Sequence, residues 1–188
     1  MSRIIALVVA SLTIMGSPGP ATMSLAAAGS VYGARRCASY AIGIVAGTMV
    51  VLLAVATGIT ATLLAVPALR TALIAISAAY ILWLAYRVAT APPLAASIAT
   101  APSLAGGAVL GVANPKAWVA IAAVFASARL DAAAKVAVLS VMIVVIMTAW
   151  LVAGTALAPV LRDPRRARAV NIGLAAALVG ATALAVLH

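Results

Sequence analysis

Apolar residues fill this chain in long runs, and polar residues gather where the runs end. Six runs stand out, over residues 4–28, 38–64, 72–88, 103–127, 136–157 and 170–187. Each has the length a helix needs to cross a hydrocarbon core about 30 Å thick. All are too long and too continuous for barrel strands, which alternate over about ten residues. The pattern predicts an all-α integral membrane protein of six transmembrane helices, with short connections and no soluble domain. Within the second run Gly43 and Gly47 are four apart, so they share a face and admit another helix closely. Gly58 is expected inside the same run. Tyr80, Trp83 and Tyr86, followed by Arg87, are expected to form an interfacial belt at the end of the third.

Two of the runs are interrupted. Gly16-Ser17-Pro18-Gly19-Pro20 lies inside the first, and Asn114-Pro115-Lys116 inside the fourth. Each proline removes an amide donor and clashes with the preceding helical turn. In hydrocarbon the freed carbonyls find no water, so a broken helix persists only where it is buried in protein or lines a cavity. Pro20 and Pro115 are 95 residues apart in a chain of 188, about half its length. Residues 89–102, with Pro92-Pro93, form the longest connection and separate three runs from three more. The chain is therefore expected to be one transporter domain, 1–188, built from halves of about 1–90 and 103–188. The first helix of each half is broken by proline. An odd number of spans per half makes the halves enter the membrane in opposite senses, an inverted-topology repeat.

Basic residues set the orientation. The connections after spans 1, 3 and 5 hold Arg35, Arg36, Arg87, Arg162, Arg165, Arg166 and Arg168; the opposite side holds Arg3, Arg70, Arg129 and Lys135. Lys and Arg favour the cytoplasmic side, which places both termini outside the cytoplasm.

Composition narrows the function. The chain is 67% hydrophobic and 7% charged, with a mean hydropathy of +1.28. Its 12 Lys and Arg face only Asp131 and Asp163. In a soluble protein this imbalance would suggest nucleic acid; here the cations flank apolar runs and serve as topology signals and lipid-headgroup contacts. The bilayer is thus the expected partner, and nucleic acid is not. The single Cys37 excludes an internal disulfide. The first run is expected to be retained as a span, since prolines interrupt it and no convincing cleavage site follows. No acidic residue falls within a run, so a carboxylate proton relay inside one chain has no carrier. Neither oxygen-rich nor Cys/His-rich metal ligation is available, and no cofactor is expected. With no nucleotide loop, transport would run on a gradient.

The breaks carry the candidate chemistry. A half-helix that begins at a break presents free amides and the positive end of a dipole; one that ends there presents carbonyls. Two facing breaks would suit a zwitterion. Lys116 is the one cation near the centre of a run, at an insertion cost of at least ~2.5–3.5 kcal/mol, which turns it toward the protein interior. It either holds a substrate carboxylate, with Asn114 beside it, or bonds broken-helix carbonyls and fixes the kink. Pro18 and Pro20 either line a pathway or shape packing. Ser17, Thr22 and Ser24 are expected to satisfy freed carbonyls. Trp118 either covers the site or packs, and Trp150 reads as a belt or packing residue. His188 is expected to be inert, and Cys37 a small apolar residue.

Ser17-Pro18-Gly19-Pro20, Gly33-Ala34-Arg35-Arg36, Gly43 with Gly47, Ala78-Ala79-Tyr80-Ile81-Leu82-Trp83-Leu84 and Asn114-Pro115-Lys116-Ala117 together resemble the LysE-type amino-acid exporter family. The resemblance spans essentially the whole chain. It implies a bacterial inner-membrane protein, not an enzyme, that exports amino acids by exchange with protons as a homodimer. The family's motif positions fall on Pro18, Gly19, Pro20, Asn114, Pro115 and Lys116, which are the expected substrate-binding residues. Two departures matter. Many relatives follow the first motif with Asn or Gln, where this chain has Ala21-Thr22; many carry an Asp in span 5 before an aromatic, where Met147 stands three before Trp150. Without a buried carboxylate a cationic substrate is disfavoured, and a neutral or small amino acid fits better. A non-transporting membrane scaffold and a metal-ion exporter on a related fold are the competing readings.

Overall fold

The computed structural model describes residues 2–58, 67–90, 101–127, 129–156 and 164–187, and every regular element among them is helical. In chain order these are α1 (Ser2–Ala10), a π-helical turn (Ser11–Met15), α2 (Pro20–Tyr32), α3 (Ala34–Ala56), α4 (Pro67–Ala89), α5 (Leu104–Ala113), α6 (Pro115–Ser127), α7 (Ala132–Ala156) and α8 (Pro164–Leu187). Proline opens α2, α4, α6 and α8. Its missing N–H is harmless at the first position, and its fixed φ suits the helix.

Helices α3 and α7 are each long and apolar enough to cross a membrane. Two bent pairs qualify if each counts as one span: α1 and its π turn with α2, at 70°, and α5 with α6, at 57°. The described residues thus hold two to four candidate spans by length and composition.

Helix ends differ from the sequence expectation in physically simple ways. Arg35 and Arg36 were expected in a connection, yet they lie in the first turn of α3. A single residue, Gly33, joins α2 to α3 with φ at +80°, a conformation only glycine adopts cheaply. Gly58, expected inside the second run, follows the last turn of α3 with φ at +77°. Arg165, Arg166 and Arg168 likewise belong to the start of α8. Arginine is a good helix former, so a basic cluster need not end a helix. Asp131 is a cap: its Oδ1 accepts from the Ala134 amide at 2.9 Å. Residues 91–100 of the expected linker 89–102, the end of the second run at 59–66, residues 157–163 and His188 lie outside the described residues, as do the side chains of Tyr80 and Arg87.

The core is held by close backbone approach. Helix α3 packs most extensively on α5. Added Cβ atoms at Gly43 or Gly47 would strike α5 carbonyls of Leu104 or Ala108; at Gly107 or Gly111 they would strike α3 carbonyls of Tyr40 or Ile44. Small residues therefore line both sides of this seam. Gly154 of α7 meets the Ala26 carbonyl of α2 in the same way. Large side chains such as Leu25, Tyr40, Ile44, Leu110, Ile121 and Ile143 fill the space between. Ile42, Val50, Leu53, Val119, Val141 and Val152 point outward. An apolar exterior around a tightly packed interior is the arrangement lipid requires.

Candidate functional site at the crossing of two helix breaks

The first break begins before its prolines. Five residues, Ser11–Met15, widen into a π turn, which closes when the Gly16 amide donates to the Ser11 carbonyl at 3.1 Å. Such turns arise where the regular ladder is interrupted. Side chains then collect freed carbonyls. Ser17 Oγ lies 2.8 Å from the Ile14 carbonyl, and Ser24 Oγ donates to Ala21 at 2.7 Å. Beyond the prolines, the Gly19 amide donates to Thr22 Oγ1 at 2.9 Å. Of the hydroxyls expected to satisfy freed carbonyls, Ser17 and Thr22 act at the break, whereas Ser24 bonds a carbonyl inside α2.

The second break is a single residue. Asn114 has φ −67° and ψ 106°, extended because Pro115 disfavours the helical basin before it. It serves both helices. Its amide donates to the Leu110 carbonyl of α5 at 3.0 Å. Its Oδ1 accepts from the Lys116 amide at 3.2 Å, and its carbonyl accepts from the Ala117 amide at 3.0 Å. The start of α6, expected to offer free amides, is therefore satisfied by Asn114.

Lys116 joins the two breaks. Its ammonium donates to the Ser17 carbonyl, to Ser17 Oγ at 2.8 Å and to the Pro18 carbonyl at 3.1 Å. Gly19 makes this approach possible: a Cβ there would lie 2.5 Å from Lys116 Cδ and 2.9 Å from Nζ. Gly19 has an extended φ of −169°, so what glycine offers here is room for the Lys116 side chain rather than a special backbone conformation. Of the two uses expected of Lys116, carbonyl bonding is the one on display. A carboxylate ligand would have to draw the ammonium away from these partners.

Two tryptophans seal remaining carbonyls. Trp118 Nε1 donates to Val112 at 2.6 Å, within its own broken span. Trp118 is buried and packs, and is not among the residues lining the cavity described next. Trp150, expected as a belt or packing residue, donates from α7 to the Gly16 carbonyl at 3.1 Å.

A narrow cavity lies at this crossing. The first half supplies Met15, Gly19, Ala21, Thr22 and Thr48; the second supplies Asn114, Lys116, Ala117, Ala120, Ile121 and Met147. The centre of a water-sized sphere can move through about 30 Å³ of it, room for two or so waters at ~10–15 Å³ each. A larger ligand would have to displace the Lys116 ammonium or spread the walls. Of the expected site residues, Gly19, Asn114 and Lys116 face this space. Pro18 contributes its carbonyl, while Pro20 and Pro115 open the two half-helices behind it. Thr48 was not expected in this wall, nor was the bond from Trp150 to the first break. A lone buried threonine and the mid-helix tryptophan were the available signals. Met147 occupies the cavity wall, so the departure noted in span 5 falls at the site itself. No group of three His, Cys, Asp or Glu occurs among the described residues, and Asp131 is committed to capping α7.

Comparison with known proteins follows the same line. The model of the LysE type translocator family matches residues 12–188, nearly the whole chain. No curated protein and no solved structure matches it. The chain belongs to the LysE type translocator family: it is a multi-pass membrane protein and a transporter rather than an enzyme.

Proposed function

We propose that this translocator exports small neutral amino acids from the cytoplasm across a bacterial inner membrane, driven by exchange with protons. The observation that carries the reading is the crossing of the two breaks. Donors and acceptors converge there in a wall otherwise made of Ala, Met and Ile. Lys116 and Asn114 line it as donors for a carboxylate. The Ser17 and Pro18 carbonyls accept from a cation. A neutral zwitterion satisfies both without an acidic side chain. Lys116 is also the only cavity-lining residue able to exchange a proton readily, which makes it the proposed carrier in coupling.

The proposed topology is six spans in one domain, arranged as inverted halves with both termini outside the cytoplasm. Helices α4 and α8, with 23 and 24 residues, have the length of spans. Equivalent elements of the two proposed halves pack together, α3 on α7 and α4 on α8, which is compatible with a pseudo-twofold relation. Arg3 Nη1 donates to the backbone carbonyl of Arg129 at 3.3 Å, a contact in keeping with the proposed assignment of these two positions to one side. A homodimer in the bilayer completes the proposal, to be tested by crosslinking.

The scaffold reading draws on one observation: the Lys116 ammonium is already bonded to Ser17 and Pro18. Exchange of labelled amino acids in liposomes separates the two. Neutral amino acids should exchange; if no amino acid of any class moves, the exporter reading fails.

A further inference from the structure

We propose that Ser17 Oγ, the Ser17 carbonyl and the Pro18 carbonyl form a receptor for a primary ammonium group, which Lys116 occupies between transport events and the substrate's ammonium takes over during them.

Three oxygens converge on one nitrogen, and a primary ammonium carries three N–H donors. The match is to chemistry rather than to charge, since every acceptor is a neutral oxygen. A trimethylated nitrogen would bring the same charge and no donor. The receptor belongs to the first break and its occupant to the second, about a hundred residues along the chain. The occupant is therefore a tethered ligand that clasps the two halves. Gly19 keeps the approach open for the stem that carries the ammonium, because a Cβ would meet Cδ at 2.5 Å.

The exchange has a charge rule. An incoming molecule with both an ammonium and a carboxylate replaces Lys116 at the oxygens and pairs with the lysine it releases. A simple amine would leave the Lys116 ammonium without a partner, and a simple carboxylate has nothing to offer the vacated oxygens. Unpaired charge is costly in this setting. The inferred substrate class is amino acids with a free primary ammonium; N-acyl and N,N-dialkyl derivatives are excluded. This extension to substrate rests on the exporter reading, whereas the receptor does not.

The test uses the full-length Lys116→Ala protein in detergent, with n-propylammonium as probe, the portion of side chain that the substitution removes. Propylammonium should raise the thermal midpoint of the variant in a saturable way and leave the unsubstituted protein unmoved. Propyltrimethylammonium should bind at least roughly tenfold more weakly, since each charge-assisted hydrogen bond lost is worth about that factor. If the variant folds only when propylammonium is present, the receptor is supported equally. Equal responses to the two amines, no response in the variant, or failure of propylammonium to restore a misfolded variant would each overturn it. A parallel transport assay keeps the readings apart. If propylammonium binds but no amino acid moves, the receptor stands and the exporter reading falls. If amino acids move and their N-acetyl forms compete equally well, the substrate rule falls.

Discussion

The two breaks solve one problem differently. At the second, Asn114 alone separates α5 from α6, caps α6 with its side chain and is backed by Trp118 from the same span. At the first, the chain widens, bends by 70° and leaves carbonyls that distant residues must satisfy: Gly16 by Trp150, and Ser17 and Pro18 by Lys116. The second break is closed by its own neighbours. The first is completed only when the other half of the molecule is in place. A self-contained break holds its shape while its surroundings move; a dependent one registers whether the halves are together. That asymmetry gives a transporter a fixed arm, bearing Lys116, and a receiving loop.

Substitutions can break this contrast in graded ways. The largest expected effect is Lys116→Ala, which removes the only side chain among the described residues that bonds both Ser17 and Pro18. Transport should fall by at least about a hundredfold while the protein still folds, because water in the cavity can rebond the carbonyls. Unchanged exchange in liposomes would remove Lys116 from the site. Next is the tryptophan pair. Trp150→Phe and Trp118→Phe each delete one indole donor and should each lower stability by about 1–3 kcal/mol, the cost of an unsatisfied buried carbonyl. Only Trp150→Phe should also slow transport, since only Trp150 reaches across the halves. Equal transport losses in both would erase the distinction. The smallest effect is expected for Ser17→Ala, which leaves Lys116 its two carbonyls and should weaken the clasp by about 0.5–1.5 kcal/mol. Thermal unfolding and initial exchange rates measure both quantities.

How much of this was legible beforehand depended on the range of the interaction. Proline and asparagine act locally, so both breaks and the hydroxyls that patch the first could be placed from residues alone. The seam of Gly43 and Gly47 was readable as a close-packing face; that its partner would be Gly107 and Gly111 was not. Hydropathy misjudged helix ends, because arginines at the membrane surface continue a helix as readily as they end one, as α3 and α8 show. The bonds from Lys116 and Trp150 to the first break span 99 and 134 residues. They depend on helix rotation and tilt, which no local pattern encodes. Hence Lys116 could be singled out as important while its partners stayed open, and Trp150 passed for an ordinary belt or packing residue.

The central claim is that the space between the breaks is where an amino acid binds. Ala120 lines that space from α6 and makes no clasp of its own. An Ala120→Cys protein, with buried Cys37 replaced by Ala, can be labelled by a small thiol reagent in membranes. A transported neutral amino acid should slow that labelling in a saturable way, and its N-acetyl form should not. Labelling that proceeds at the same rate with every amino acid present would contradict the account.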